Sequence, residues 1–412
     1  MRFKPMIRSL LETDMYKLSM GQAIFHGRDE VMPFSEYTTT WTFKLRNKDV
    51  KFTPEMVEEI KEQWKNYCNL KFTAEEINYL KNSPNTLWIK NDYANFLKNW
   101  HPNFEEVVIS DEAECGLSIE ATGSWLDTSM YEIAILAIVN ETYFRMAYDY
   151  EVLFESFKKK LEEKIESIGV KGKYSLSAFS EFGLRRRLSF EAQELAVKRL
   201  SETKFLNSTF VGTSNVYLAM KYNLKPVGTQ AHEWIMCVGQ GNHMHNPAYA
   251  NWYALNAWVD EYGTLNGTAL TDTITTDCFL KDFKLTFATL FSGVRHDSGD
   301  PIEWGEKMIR HYEILGLDPK LKTLLFSDSL DFEKADKIYK YFNGKAKIAF
   351  GIGTFIANDT DAEALNIVMK VTQCNGVDVA KISDTKGKGM CKNEEYVKAL
   401  TKAIERRVGG IN

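Results

Sequence analysis

Residues 291–300 (FSGVRHDSGD), 323–331 (TLLFSDSLD) and 347–354 (KIAFGIGT) decide how this chain folds. Each stretch opens on a short apolar run and breaks into small, polar or acidic residues. The first predicts a strand over Phe291–Arg295, after which Asp300 can cap a helix that opens on Pro301. Trp304, Met308, Tyr312 and Leu315 follow at helical spacing, and Gly316 is a natural stop. The second predicts a strand over Thr323–Phe326, then a helix with Phe332, Ala335, Ile338 and Phe342 on one face, ending at Gly344. The third predicts a strand over Lys347–Phe350 that runs into Gly351-Ile-Gly353-Thr354. Parallel α/β sheets and barrels gather their active sites at such strand ends. The expected fold is therefore α/β, with a barrel the first choice and a doubly wound sheet the second.

The strand ends carry chemistry suited to phosphate. Backbone N–H groups around Ser327 and in Gly351–Gly353 can cradle an anion, because glycine permits close backbone approach. Arg295 and Asp297 lie two residues apart and so share a side, one for an anion, the other for a metal-bound or hydroxyl ligand. Upstream, EFGLRRR (181–187) offers a ring and three guanidiniums, which suit an anionic aromatic or polyphosphate ligand. A solvated basic patch explains the same residues equally well. His232, in GTQAHEW (228–234), can act as general base or phosphoryl acceptor if a carboxylate fixes its tautomer; Glu233 and Asp272 are the candidates. Taken alone it also fits a structural histidine. His243 and His245 form an H-x-H pair with no third ligand at recognisable spacing, which predicts a polar loop rather than a metal site. No Walker A loop, nucleophile elbow, kinase motif set or dinucleotide fingerprint occurs, so any ATP is held by other means.

Composition narrows the class further. The chain has 412 residues, 44% hydrophobic and 26% charged, with a net charge of −5, which is ordinary globular usage without a nucleic-acid footprint. Six cysteines are scattered with no C-x-x-C pair, as expected for free thiols in a reducing compartment. Neither a secretory leader pattern nor a membrane-length apolar run is seen, so the expectation is a soluble cytoplasmic protein with neither membrane nor nucleic acid as partner. In the first third, Thr39, Trp41, Phe43 and Leu45 alternate with polar residues as in a half-buried strand. Segments 54–68 and 74–82 read as amphipathic helices. From residue 151 the texture changes, and FESFKKKLEEKIESIG (154–169) reads as a charged helix ending at Gly169.

In order along the chain, LLETDMYKLSMGQAIF (10–25), EFGLRRR, FVGTSNVYLA (210–219), GTQAHEW, TALTDT (268–273), GVRHDSGDP (293–301), FSDSLD, FGIGT and KISDTKGKG (381–389) closely resemble the nicotinate phosphoribosyltransferases of the shorter bacterial and fungal form. Only Leu184 and Gln230 vary within these motifs. The resemblance implies an irregular α/β barrel of the type II phosphoribosyltransferase kind over residues 151–412, with an N-terminal α+β domain over 1–150. The C-terminal segment is then expected to pack back on that domain. It further implies a homodimer, and joining of nicotinate to phosphoribosyl pyrophosphate with Mg²⁺ but no prosthetic group. ATP hydrolysis is coupled through a phosphohistidine, in a salvage step towards NAD.

By the same resemblance His232 is the phosphorylated residue, and Phe182 with Tyr16 (the latter from the partner subunit) sandwiches the pyridine ring. Arg185 lies near base and pyrophosphate, and Ser214 stands where the nicotinamide-specific relative has aspartate. Asp272, Arg295 and Asp297 serve ribose, pyrophosphate and metal; Ser327, Asp328, Gly351, Gly353 and Thr354 serve the 5′-phosphate and ribose. The rivals are an enzyme for another base, nicotinamide or quinolinate, and a phosphosugar aldolase or isomerase on the same barrel. An aldolase needs a Schiff-base lysine at a strand end, and none of the three stretches quoted first supplies one.

Overall fold

The computed structural model describes residues 3–168, 172–203, 209–385, 389 and 391–409. With strands numbered in chain order, β1 (Thr38–Leu45), β2 (Val107–Ser110), β3 (Ser118–Ser124), β11 (Ile367–Cys374) and β12 (Val377–Asp378) form an antiparallel sheet in the order β12-β11-β1-β3-β2. The second sheet is parallel throughout. It contains β4 (Ala178–Glu181), β5 (Phe210–Thr213), β6 (Lys225–Pro226), β7 (Thr268–Leu270), β8 (Gly293–His296), β9 (Thr323–Phe326) and β10 (Lys347–Ile352), in the order β6-β5-β4-β10-β9-β8-β7. It curls into an irregular α/β half-barrel, and among the described residues no ladder joins β6 to β7.

Local chemistry accounts for the elements. Asp300 accepts from the Ile302 and Glu303 N–H groups, and Pro301 opens the helix Pro301–Ile314. That helix and Phe332–Phe342 stop before Gly316 and Gly344, which take positive φ of 74° and 79°. Thr53 caps the helix Pro54–Cys68, and Thr73 with Glu76 forms a capping box ahead of Ala74–Asn82. In β1, Thr39, Trp41 and Phe43 are buried while their neighbours are not. The helix expected to end at Gly169 spans Tyr150–Ser167; Gly169 itself lies outside the described residues. All six cysteines are free thiols.

Two strand boundaries differ from expectation by two residues. β8 begins at Gly293 because Phe291 still closes the preceding helical turn, its N–H donating to Phe287. β10 continues through Gly351 and Ile352, paired with Ser180 and Glu181 of β4. The ring of Phe182 lies over Gly351, where a Cβ would come within 2.4 Å of it.

One apolar core runs beneath both sheets. Trp234, on the helix His232–Gln240, stacks on Trp125 at 5.7 Å and meets Trp258 at 5.4 Å, all three fully buried. Burying an aromatic of this size stabilises by roughly 2–3 kcal/mol. The helix that begins with His232 is thus anchored to both layers. No described helix is long and apolar enough to cross a membrane.

Candidate active site

The carboxyl ends of the parallel strands open on one cleft of about 610 Å³. Phe182, Gly183 and Arg185 follow β4; Asp297 follows β8; Ser327 and Asp328 follow β9; Gly353 and Thr354 follow β10. His232 and Arg295 also line it, as do Arg46, Arg186, Lys370 and Lys381. Six cations therefore converge on one opening of a chain whose net charge is −5. Their crowding is felt: burial and like charges push Arg186 down to about 10 and Lys370 down to about 8.

His232 is held on every side. Its Nδ1 lies 3.0 Å from the Thr273 hydroxyl, and its Nε2 lies 3.0 Å from Asp297 Oδ2 and 2.8 Å from Lys381 Nζ. The ammonium of Lys381 is 3.0 Å from Asp272 Oδ2 as well. Burial, reinforced by Lys381, lowers the histidine to about 4, so the ring is neutral at pH 7. Burial pushes the Asp297 carboxyl up, but Arg295, His232 and Lys381 hold it well below the usual range. Arg295 donates to Asp297 at 2.9 Å and to Ser327 at 2.8 Å, which joins two strand ends.

Neither proposed orienting carboxylate bonds the histidine directly. Glu233 faces the opposite way and takes bonds from Lys17, Ser129 and Trp125 Nε1. Successive helical residues do not share a face, so adjacency in sequence misleads here. Asp272 sits 3.9 Å from Nε2 and acts on it through Lys381. The direct partners are Asp297, Thr273 and Lys381.

His232, Asp272 and Asp297 present donor atoms within 4.8 Å of one another, a set that would suit a cation. The ammonium of Lys381 already stands among them. These three residues therefore do not fit a resident Mg²⁺, which would meet a fixed positive charge. His245 bonds the Val238 carbonyl through Nδ1, and its ring stacks on Tyr253 at 3.6 Å.

The three arginines of EFGLRRR have separate fates. Arg185 faces the cleft, 3.5 Å from Glu132 and 4.0 Å from Asp14. Arg186 bonds the Ile367 carbonyl at 2.9 Å and Asn366, so it ties the cleft to β11. Arg187 is fully buried on Glu12 at 2.8 Å and the Met6 carbonyl at 2.7 Å, and serves the core. Glu181 braces the turn beneath them, accepting from Gly183 N–H, from Thr213 at 2.6 Å and from Gln193 at 3.0 Å. Burial pushes its carboxyl up to about 7.

Four expected site residues do not line the cleft. Ser214 donates to Asp14 at 2.6 Å, behind Arg185. Tyr16 is only 7% exposed within this chain, with its hydroxyl 3.4 Å from Glu132. Gly351 lies under Phe182, and Asp272 beneath Lys381. Lys370 and Lys381 were assigned no role from sequence. Lys381 does fall in the quoted KISDTKGKG motif, whereas Lys370 is reached only by pairing β11 with β1.

The comparisons with known proteins agree along the chain. The family model for the nicotinate phosphoribosyltransferase (NAPRTase) N-terminal domain matches residues 11–140, and the NAPRTase family model matches 177–406. The nicotinate phosphoribosyltransferase of Burkholderia mallei is 39% identical over 408 residues, 98% of this chain and 97% of that protein. Its Escherichia coli K12 counterpart is 40% identical over 406 residues, 97% of this chain and 96% of the relative. Among solved structures, the Vibrio cholerae nicotinate phosphoribosyltransferase superposes with a TM-score of 0.88 at 33% identity, covering 98% of this chain and 95% of its own. The Porphyromonas gingivalis enzyme gives 0.85 at 34% identity, covering 96% and 99%. Matched in both halves, at this identity and over nearly all of its length, the chain belongs to the nicotinate phosphoribosyltransferase family of enzymes.

Proposed function

We propose that the cleft joins nicotinate to phosphoribosyl pyrophosphate, forming nicotinate mononucleotide and pyrophosphate, and that ATP drives the reaction through phosphorylation of His232. The observation that carries this reading is the meeting of six cations, the half-buried ring of Phe182 and a buried neutral histidine in one opening. As pyrophosphate leaves the ribose, positive charge develops at C1 and the pyridine nitrogen captures it. The protein contributes positioning and charge stabilisation. Phe182 stacks on the pyridine ring, and Arg185, Arg186, Arg46 and Lys370 take its carboxylate and the pyrophosphate. Ser327, Asp328, Gly353 and Thr354 hold ribose and 5′-phosphate at the strand ends. Mg²⁺ carried on the phosphates of the two substrates would neutralise part of their charge.

A pyridine-base panel tests the reading. Nicotinate should be converted to its mononucleotide, while nicotinamide and quinolinate react at least about tenfold more slowly, because the cations favour one carboxylate and Asp14 and Glu132 crowd a second. Equal or faster conversion of either rival base would overturn it. A lysine of lowered pKa in the cleft is what the aldolase alternative requires, and Lys370 has one. Its amine, however, leans 3.7 Å from Glu132 as a counter-ion.

Lys370 makes the donor site pH-sensitive. With its pKa at about 8, the amine is charged below that pH and loses its charge above it. The KM for phosphoribosyl pyrophosphate should accordingly rise as pH increases through 8. Lys370→Met should start from a higher KM and show no such rise. Initial rates across the alkaline range check this, and an unchanged pH profile in the variant would remove Lys370 from the anion site.

A further inference from the structure

The nitrogen of His232 that faces the cleft has two partners that cannot both be satisfied. Lys381 is a donor only, and it lies 2.8 Å from Nε2. Asp297, held ionised, is an acceptor only, and its Oδ2 lies 3.0 Å from the same atom. An imidazole nitrogen has one in-plane direction, carrying either a proton or a lone pair. If Nε2 bears the proton it donates to Asp297 and confronts the ammonium. If Nε2 bears the lone pair it accepts from Lys381, and the proton sits on Nδ1, donating to the Thr273 hydroxyl 3.0 Å away.

We propose that Lys381 is a positioning residue that selects the second state, holding Nε2 unprotonated and the proton on Nδ1. Three observations support it. Asp297 has counter-charges besides the ring: Arg295 donates to its Oδ1 at 2.9 Å, and the Lys381 ammonium lies 3.7 Å from its Oδ2. While no phosphate is bound, Lys381 is held beside the ring. Asp272 anchors its ammonium at 3.0 Å, and both backbone groups of Ala380 are held by the side-chain amide of Gln240, at 2.8 and 2.9 Å. The next residue, Ile382, donates its N–H to Thr273, so Lys381 and the Nδ1 partner are fixed to each other. Thr273 can serve either state, because a hydroxyl both donates and accepts.

The selection has a chemical use, which rests on the phosphohistidine reading above. Only a nitrogen with a free lone pair attacks phosphorus. Nε2 forms the N–P bond as the bond from phosphorus to the β,γ-bridging oxygen breaks; ADP leaves with that electron pair, and the ring keeps its Nδ1 proton until water takes it. While no phosphate is present the ammonium masks the lone pair. When a γ-phosphate arrives, the ammonium exchanges the nitrogen for phosphoryl oxygens, uncovering the nucleophile and neutralising the incoming charge.

The test uses the full-length protein with ¹⁵N-labelled histidine rings, and His232→Gln identifies the His232 signals by their loss. At neutral pH the native protein should show Nε2 with the shift of an unprotonated nitrogen and Nδ1 with that of a protonated one. Lys381→Met should reverse the pattern, and Lys381→Arg should keep it. The Lys381→Met protein should also take up label from γ-labelled ATP at least about 10²-fold more slowly, the scale seen when a catalytic imidazole sits in the wrong tautomer. A protonated Nε2 in the native protein overturns the proposal, even if no variant folds; so does an unchanged pattern in Lys381→Met. A native protein that takes no label would overturn the phosphohistidine reading instead, while leaving the tautomer measurement intact.

Discussion

Replacing His232 by Asn should abolish acid-labile labelling from γ-labelled ATP and, with it, nicotinate-dependent ATP hydrolysis. The ring is a buried neutral nucleophile beside the cleft cations, and Asn offers no nitrogen lone pair of comparable basicity. Most of the scaffold should be untouched, because Trp234 and its aromatic partners anchor the same helix. Slow, uncoupled formation of mononucleotide should persist, since Phe182, Arg185 and Arg295 still hold base and donor. Label at the native level on the Asn variant would place the phosphoryl group elsewhere. Full ATP stimulation without label would dismiss the covalent intermediate.

Arg187→Met should cost about 3–5 kcal/mol of stability, enough to unfold a protein of ordinary marginal stability under mild denaturant. Arg187 and Glu12 are both fully buried and lie 2.8 Å apart. Removing the guanidinium strands a carboxylate that burial already pushes up in pKa, and leaves the Met6 carbonyl without its donor. The double variant Arg187→Met with Glu12→Leu should recover much of the loss, because no unpaired charge remains. Urea unfolding of both proteins checks this. A single variant within about 0.5 kcal/mol of the parent would show that the pair is not a structural element.

These two cases show which parts of the molecule can be read from sequence. Strands β8, β9 and β10 and their helices are legible because each is specified locally, by an apolar run, a cap and a stop. The residues at their carboxyl ends, Asp297, Ser327, Asp328, Gly353 and Thr354, follow from the parallel arrangement and line the cleft. The run Arg185-Arg186-Arg187 is different. A 3₁₀ turn over Leu184–Arg186 sends three identical side chains to the cleft, to β11 and to the core, and composition carries no trace of that division.

The partners of His232 are hidden for another reason. Asp297 and Lys381 lie 65 and 149 residues away in sequence and meet it only when β6, β8 and the segment after β12 close on one face. Glu233, the neighbour that looked right, belongs to the buried network of Lys17 and Glu132. Ser214 and Tyr16 were placed in the site by resemblance, yet here they stand one layer behind it, where they fix Asp14 and Glu132 and through them Arg185.

Counting products shows whether one cleft couples ATP to phosphoribosyl transfer. Purified protein is supplied with nicotinate, phosphoribosyl pyrophosphate, ATP and Mg²⁺, and ADP and nicotinate mononucleotide are quantified together over time. ADP and mononucleotide should accumulate in equal amounts at limiting substrate, and mononucleotide formation should fall to a slow residual rate when ATP is omitted. Mononucleotide forming at an undiminished rate and to the same extent without ATP, or ADP accumulating with no mononucleotide, would contradict it.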